Sequence, residues 1–168
     1  QTLGLRPLRG PFERSRPAAE AFLYSPLVLP KPADWPATSH VTGFCLPSEV
    51  REMPITSEPP ATPAVYVYFG SNGYLTSSFM EMCIAAVEAA GARALVSDRT
   101  VQQCPGNWTR RCTAVENSRF VEALGQVSAL MHHSGAGTCA TALHAGLPSV
   151  CVPFFADQRF WAGHMEQI

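Results

Sequence analysis

Three absences limit what this sequence can do. It contains three aspartates, at positions 34, 98 and 157, so no Asp-x-Asp pair is present to hold a divalent ion against a diphosphate. Its apolar runs, such as AVYVYF at 64–69, stop far short of the roughly 18 residues that a membrane-spanning helix needs. The 12 basic and 13 acidic residues are scattered, which argues against the basic stripe typical of nucleic-acid binding. We therefore expect neither a metal nor a nucleic-acid partner.

The six cysteines follow no metal-binding or disulfide pattern. They lack Cys-x-x-Cys spacing and the density of a small secreted framework, and three of them fall within apolar helix or strand patterns. Buried free thiols are therefore predicted. The 46% hydrophobic and 15% charged content is typical of a soluble globular domain.

Proline divides the chain into two parts. Twelve of the 15 prolines lie within residues 1–63, where repeated X-Pro steps favour extended or turn backbone. This part is predicted to be a proline-rich interdomain connector that runs as an extended strap, with one short helix around 18–23. Because the chain opens at Gln1 and stops at Ile168 within a predicted helix, we expect it to be a piece of a longer protein.

From residue 64 onward, short apolar strands alternate with helices. Ser78 with Glu81 forms a capping box for the first helix, and Gly91 and Gly146 suit helix ends. Nearly all-apolar strands separated by helices predict a Rossmann-like, doubly wound parallel sheet over 64–168. The predicted strands are 64–69, 92–97, 112–115, 128–133 and 149–154, and the predicted helices are 78–90, 119–124, 138–145 and one from about Gln158.

The glycine-rich segment HHSGAGT, residues 132–138, lies between a predicted strand and a predicted helix. Glycines at 135 and 137 would let phosphate oxygens approach the backbone, and the helix start offers N–H groups and the positive end of its dipole. This pattern predicts a diphosphate site. Side chains of adjacent strand residues point to opposite faces, so His133 is predicted to face the ligand and His132 to lie in the core. The alternative is a closely packed turn that binds nothing.

Two further loops follow strands that should end at the same edge of the sheet. Gly70-Ser71-Asn72-Gly73 can face a phosphate or serve only as a turn. In the segment FADQ at 155–158, Asp157 and Gln158 can hydrogen-bond the hydroxyls of a sugar. The alternative role for Asp157 is to cap the following helix.

A dinucleotide site is a competing interpretation. Asp98 follows the second predicted strand, where an acid that binds ribose would stand. The first loop, GSNGYL, is not G-x-G-x-x-G, and the richest glycine turn follows a later strand. The pattern therefore favours a nucleotide sugar over a dinucleotide.

Three segments in order, VYVYFGS, HHSGAGT and ALHAGLPSVCVPFFADQRFWAGHM, closely resemble the donor-binding, C-terminal half of GT-B glycosyltransferases of the sterol glucosyltransferase type. The proline-rich stretch at 25–44 also resembles that family. The resemblance implies an inverting, metal-independent enzyme without a cofactor. It would transfer a hexose, expected to be glucose, from a UDP-sugar to a sterol or another lipid-like hydroxyl. We expect a cytoplasmic protein whose full-length form could contact membranes peripherally.

The resemblance also implies a set of donor-binding residues. Those residues are Gly70, Ser71, His133, Ser134, Gly135, Ala136, Gly137, Thr138, Asp157 and Gln158. Ser134 departs from the glycine usual in sterol-type members, and Arg119, Phe120 and Glu122 replace the usual Pro-His and Trp. The family's catalytic histidine belongs to an N-terminal domain that this chain does not resemble, so the chain would bind the donor without catalysing transfer. Two alternatives are a non-catalytic donor-binding subunit and a nucleotide-sugar epimerase, against which the stretch at 25–44 argues.

Overall fold

A computed structural model describes residues 19–53, 60–70 and 75–168 of the chain. Its principal sheet has five parallel strands in the order β5-β4-β3-β6-β7. The strands are β3 (Ala64–Tyr68), β4 (Arg93–Ser97), β5 (Cys112–Val115), β6 (Ala129–His132) and β7 (Ser149–Cys151), and β1 (Glu20–Phe22) pairs with β2 (Ser39–Val41) in a separate two-stranded sheet. The helices are α1 (Ser48–Arg51), α2 (Ser77–Ala89), α3 (Asp98–Gln103), α4 (Phe120–Leu124), α5 (Ala136–His144) and α6 (Gln158–Met165), with 3-10 turns at Asn107–Arg111 and Asn117–Arg119.

Apolar clusters cover both faces of the five-stranded sheet. On one face, alternate residues of β3 such as Val67 pack with Ile84 of α2 and the fully buried Trp108. On the other face, Tyr66 packs with Leu124 of α4 and Ala142 of α5. The period of two along each strand explains this division, since successive side chains point to opposite faces. The arrangement confirms the predicted doubly wound α/β fold.

The predicted helix around residues 18–23 is wrong. Residues Glu20–Phe22 form β1, which pairs in parallel with β2 about nineteen positions later. Main-chain bonds extend the pairing at both ends, from the Glu20 N–H to the Thr38 carbonyl and from the Thr42 N–H to the Phe22 carbonyl. Such a partner lies outside any local window of sequence, so a short helical preference is overridden by pairing.

The predicted capping box of α2 is also wrong. With Ser78 as the N-cap, the helix would begin at Phe79. It begins instead at Ser77, and its N-cap is Thr76, whose side chain accepts a hydrogen bond from the Phe79 N–H at 3.2 Å. Gly91 and Gly146 end α2 and α5 as predicted, with φ of +71° and +65°. The sequence analysis missed α3, which Ser97 caps by accepting from the Thr100 N–H.

The segment 19–53, called the strap from here on, packs on the outside of α5 and α6. Its Tyr24 and Phe44 contact Trp161 of α6, with ring centroids 6.1 Å apart in each pair. Cys139 of α5 completes the cluster, and the cysteine is almost fully buried as a free thiol. Burial raises the pKa of Cys139 to about 12, so the thiol is un-ionised. Within the described ranges, no helix combines the length and apolarity needed to cross a membrane.

Candidate nucleotide-sugar site

The strand order creates a crevice between the loops that follow β3 and β6. From β3 the chain proceeds to β4 and β5 on one side, then returns to β6 and β7 on the other. Strands β3 and β6 are neighbours, and Tyr68 pairs with His132 at their ends. The loops that follow the two strands nevertheless lead toward opposite sides of the sheet. Ligands of open parallel sheets bind at such a switch point. Gly70 and the turn beginning at His133 stand at it.

The imidazole of His133 lies between two glycines from different loops. A Cβ placed on Gly135 would come within 2.6 Å of His133 Nε2, and one placed on Gly70 would lie 3.3 Å from Cε1. Gly70 also has a φ of +62°, in the left-handed region that favours glycine. The structure thus brings together the predicted residues Gly70, His133 and Gly135, because any side chain at position 135 would displace the ring.

His132 is fully buried, which confirms its prediction as a core residue. Its Nδ1 accepts a hydrogen bond from the Ser134 N–H at 3.1 Å, so this nitrogen carries no proton. Burial, with a smaller contribution from His133, lowers the pKa of His132 to about 4. The ring is therefore neutral at pH 7, and it holds the turn rather than contributing charge to it.

His133 is half-buried and faces the crevice. Burial lowers the pKa of His133, while the Tyr68 main chain and the negative charge of Asp157 oppose that shift. Its Nδ1 is buried without a well-formed hydrogen bond to any residue that the structure describes.

Helix α5 begins at this turn with Gly135 as its N-cap. Glycine has no side-chain oxygen, and within the described part of the chain no side chain caps the helix. The N–H groups of Ala136, Gly137 and Thr138 lie in the first turn, which carries the positive end of the helix dipole. Anionic oxygens suit such a helix start.

Ser134, which precedes that cap, has a φ of +63° that glycine would adopt without strain. Its hydroxyl is fully buried, and among the described residues it has no hydrogen-bond partner. Ser71, also predicted to be a donor-binding residue, lies outside the described residues.

Asp157 and Gln158, the two polar residues after β7, form different contacts. Gln158 is buried, and its Oε1 accepts the N–H groups of Phe154 at 2.8 Å and Phe155 at 3.2 Å. The carbonyl half of this amide therefore shapes the loop, and only the amide nitrogen remains to donate to a hydroxyl.

Asp157 lies at the N-cap position of α6, yet its side chain makes no capping bond to the described backbone. The carboxylate instead accepts a hydrogen bond at Oδ2 from Trp161 Nε1, at 3.0 Å. The alternative interpretation of Asp157 as a helix cap is therefore wrong. Trp161 was not identified as a site residue, although its spacing of four from Asp157 is the spacing of neighbours on a helix.

Asp98 has a structural role that weighs against a dinucleotide site. Its Oδ1 accepts the main-chain N–H groups of Arg99 at 2.6 Å and Asn117 at 3.0 Å. These bonds tie the loop after β4 to the loop after β5. One oxygen of this carboxylate therefore serves the backbone, which gives Asp98 a structural role that needs no ribose.

Comparison with known proteins identifies the family of this chain. Residues 82–168, more than half of the chain, match the family described as UDP-glucoronosyl and UDP-glucosyl transferase. The chain belongs to this UDP-glycosyltransferase family. The matched residues include α5, its glycine turn and the loop after β7.

Curated relatives in the UDP-glycosyltransferase family are much longer than this chain. The chain is 33% identical over 162 residues to O-mycaminosyltylonolide 6-deoxyallosyltransferase of Streptomyces fradiae, covering 90% of itself and 36% of that protein. It is 31% identical over 169 residues to sterol 3-beta-glucosyltransferase UGT80B1 of Arabidopsis thaliana, covering 87% of itself and 25% of that protein. The chain therefore spans about a third of the first relative and a quarter of the second.

Solved glycosyltransferase structures share the fold. The glycotransferase of kitacinnamycin superposes with a TM-score of 0.67 at 20% identity, over 90% of this chain and 40% of the other. UGT2 of Phytolacca americana, in a complex with UDP-2fluoro-glucose and pterostilbene, superposes with a TM-score of 0.66 at 17% identity, over 89% and 39%. Both confirm the GT-B-type, Rossmann-like architecture.

Proposed function

We propose that this chain is the donor-binding part of an inverting, metal-independent glycosyltransferase that uses a UDP-sugar. The observation that carries the proposal is the crevice at the switch point, where the His133 imidazole lies between Gly70 and Gly135 at the uncapped start of α5. The sugar would be a hexose, glucose by resemblance, and the acceptor a sterol or another lipid-like alcohol. The match to sterol glucosyltransferases at about 30% identity supports that acceptor class.

The proposed chemistry needs positioning and charge stabilisation from this chain. The acceptor oxygen would attack the anomeric carbon as the bond to the UDP oxygen breaks, leaving negative charge on the diphosphate. His133, Ser71 and the N–H groups of residues 135–138 would stabilise that charge, which preorganised donors do effectively. The base that removes the acceptor's proton would come from an N-terminal domain, and the whole enzyme would act in the cytoplasm.

Asp157 and Gln158 are proposed to hold the sugar. The carboxylate oxygen of Asp157 not bonded to Trp161 can accept from a hydroxyl, and the Gln158 amide nitrogen can donate to one. Hydrogen bonds from both would orient the anomeric carbon relative to the diphosphate. Arg119 pairs with Glu122 in the segment where the family usually has Pro-His and a tryptophan.

Calorimetric titration with UDP and UDP-glucose, without metal, tests the proposal. UDP ligands should bind and NAD should not. The His133→Ala variant should bind UDP more weakly by about 1 to 3 kcal/mol, the usual cost of a lost hydrogen bond to a charged group. His40→Ala, on the exposed side of β2, is the matched control and should leave affinity unchanged.

Three results would count against the proposal. Absence of UDP binding by a folded chain would return the glycine turn to a structural role. Tight binding of NAD would favour the dinucleotide interpretation. Binding of UDP-glucose without transfer, even in a full-length protein supplied with sterol, would support the non-catalytic subunit instead.

A further inference from the structure

We infer that Trp161 is a positioning residue, which holds the Asp157 carboxylate toward the donor sugar and is itself held by the strap. The inference deepens the proposed function and rests on it. Sugar recognition would then depend on the strap, a segment that lies more than a hundred positions earlier in the sequence.

One hydrogen bond limits the freedom of the Asp157 side chain. Asp157 is exposed, and its backbone is helical, with φ of −75° and ψ of −4°. A carboxylate at an N-cap ordinarily bonds a main-chain N–H of the first turn, which would turn it toward the helix. Here the indole Nε1–H of Trp161 binds Oδ2 at 3.0 Å instead. This bond selects one orientation of an otherwise mobile side chain.

Aromatic side chains surround the indole of Trp161 and fix its position. Trp161 is only 8% exposed. Tyr24 and Phe44 of the strap contact its ring at centroid distances of 6.1 Å, with interplanar angles of 65° and 54°. Phe160 contacts it nearly perpendicularly, at 5.5 Å. These tilted contacts are the preferred geometry of aromatic pairs, so the strap determines where the N–H points.

The contact with Trp161 leaves the negative charge of Asp157 in place. The indole N–H is a neutral donor, so it orients the carboxylate without cancelling its negative charge. The remaining oxygen of Asp157 keeps its capacity to accept from a sugar hydroxyl. A lysine or arginine in the same place would compete for that oxygen, since each carries several donors.

Trp161→Phe tests the inference because phenylalanine keeps an aromatic ring in the cluster, although a smaller one, and removes the N–H donor. We would compare the dissociation constants of UDP and UDP-glucose for the wild-type and variant chains. The wild type should prefer UDP-glucose over UDP. The variant should bind UDP within about twofold of wild type and lose about tenfold in affinity for UDP-glucose. Trp108→Phe is the control, since it also removes an indole N–H, one that donates to the Cys104 carbonyl in a different cluster, and it should leave both constants unchanged.

A second measurement detects the contact without any ligand. The indole N–H resonance of Trp161 in a nitrogen–proton correlation spectrum should shift on Asp157→Asn, because the substitution removes the charge of the acceptor. A resonance insensitive to this substitution would overturn the inference. Equal losses of UDP and UDP-glucose in Trp161→Phe would also overturn it, because they would indicate a general structural role.

Different results would contradict the proposed function and the positioning role of Trp161. If the wild-type chain binds neither UDP nor UDP-glucose, the proposed function is wrong, and a role in sugar recognition is wrong with it. If the wild type prefers UDP-glucose and Trp161→Phe keeps the full preference, the proposed function stands and the positioning role is wrong.

Discussion

Ser134 combines two unfavourable features at one position of the glycine turn. Its φ of +63° costs an L-residue about 1 kcal/mol or more, and its hydroxyl is buried with no partner in the described part of the chain. Glycine would remove both penalties, although it also gains entropy in the unfolded chain. We expect Ser134→Gly to raise the free energy of unfolding by about 1 kcal/mol, measured by urea denaturation without ligand.

Ser78→Gly is the matched control for that prediction. Ser78 is exposed within the first turn of α2, where the backbone is helical and glycine is unfavourable. This variant should lose about 0.5 kcal/mol. If Ser134→Gly also loses stability, the hydroxyl of Ser134 must contribute an interaction that outweighs the strain.

His132 predicts a specific dependence of stability on pH. Its pKa is about 4 in the folded chain and about 6.5 when unfolded, so the unfolded chain binds the extra proton between these values. Stability is therefore retained above pH 6.5 and falls as the pH is lowered toward 4, by at most about 1.4 kcal/mol per pH unit from this residue. Urea denaturation of His132→Asn, whose Oδ1 can still accept the Ser134 N–H, should show a shallower loss. An equal slope in both chains would contradict the burial of a neutral imidazole.

At the scale of single residues, the sequence predicts which residues follow the strands at the crevice. It does not predict which of their side chains are hydrogen-bonded to each other. His133, Asp157 and Gln158 were predicted because parallel strands end at a common edge. The bond from Trp161 to Asp157, and the use of Gln158 Oε1 to shape its own loop, depend on side-chain orientations that a linear pattern does not encode.

At the scale of elements, helices and strands of the five-stranded sheet followed from apolar patterning, whereas their ends did not. The predicted strand 149–154 pairs with β6 only over Ser149–Cys151, because β6 ends at His132, whose carbonyl accepts the last bond from the Val152 N–H. Helix α5 begins at Ala136, two residues before the predicted start, because Gly135 already has cap geometry. Ends depend on neighbours in space, while element type depends on local periodicity.

The true cap of α2 provides a test at this scale. Thr76 accepts the Phe79 N–H, so Thr76→Ala should lower the free energy of unfolding by about 1 kcal/mol. Ser78→Ala removes the residue that the sequence pattern favoured as the cap, and it should cost a few tenths of that amount. Thermal denaturation of the two variants distinguishes the assignments. A larger loss in Ser78→Ala would restore the original capping box.

For the whole molecule, the strap is the part that local reasoning described least well. Proline content correctly indicated an extended path, yet β1 pairs with β2 across an intervening loop that contains Trp35. Tyr24 and Phe44 then reach Trp161, at the far end of the chain. These contacts join residues separated by more than a hundred positions, and no helical or strand period predicts them. They make the strap part of the structure around the site.

If the strap and the sheet form one cooperative unit, a change in the strap should alter the stability of both. Tyr24 is 9% exposed against Trp161, so Tyr24→Ala should cost about 2 to 4 kcal/mol in the free energy of unfolding. Leu27→Ala is the control, because Leu27 is 93% exposed and should change stability little. Hydrogen exchange of the α2 and β3 amides should accelerate in Tyr24→Ala by the same free energy as the global loss. Hydrogen exchange that accelerates only within the strap would show that the strap opens independently. The coupling between the strap and the Asp157 carboxylate would then be weak.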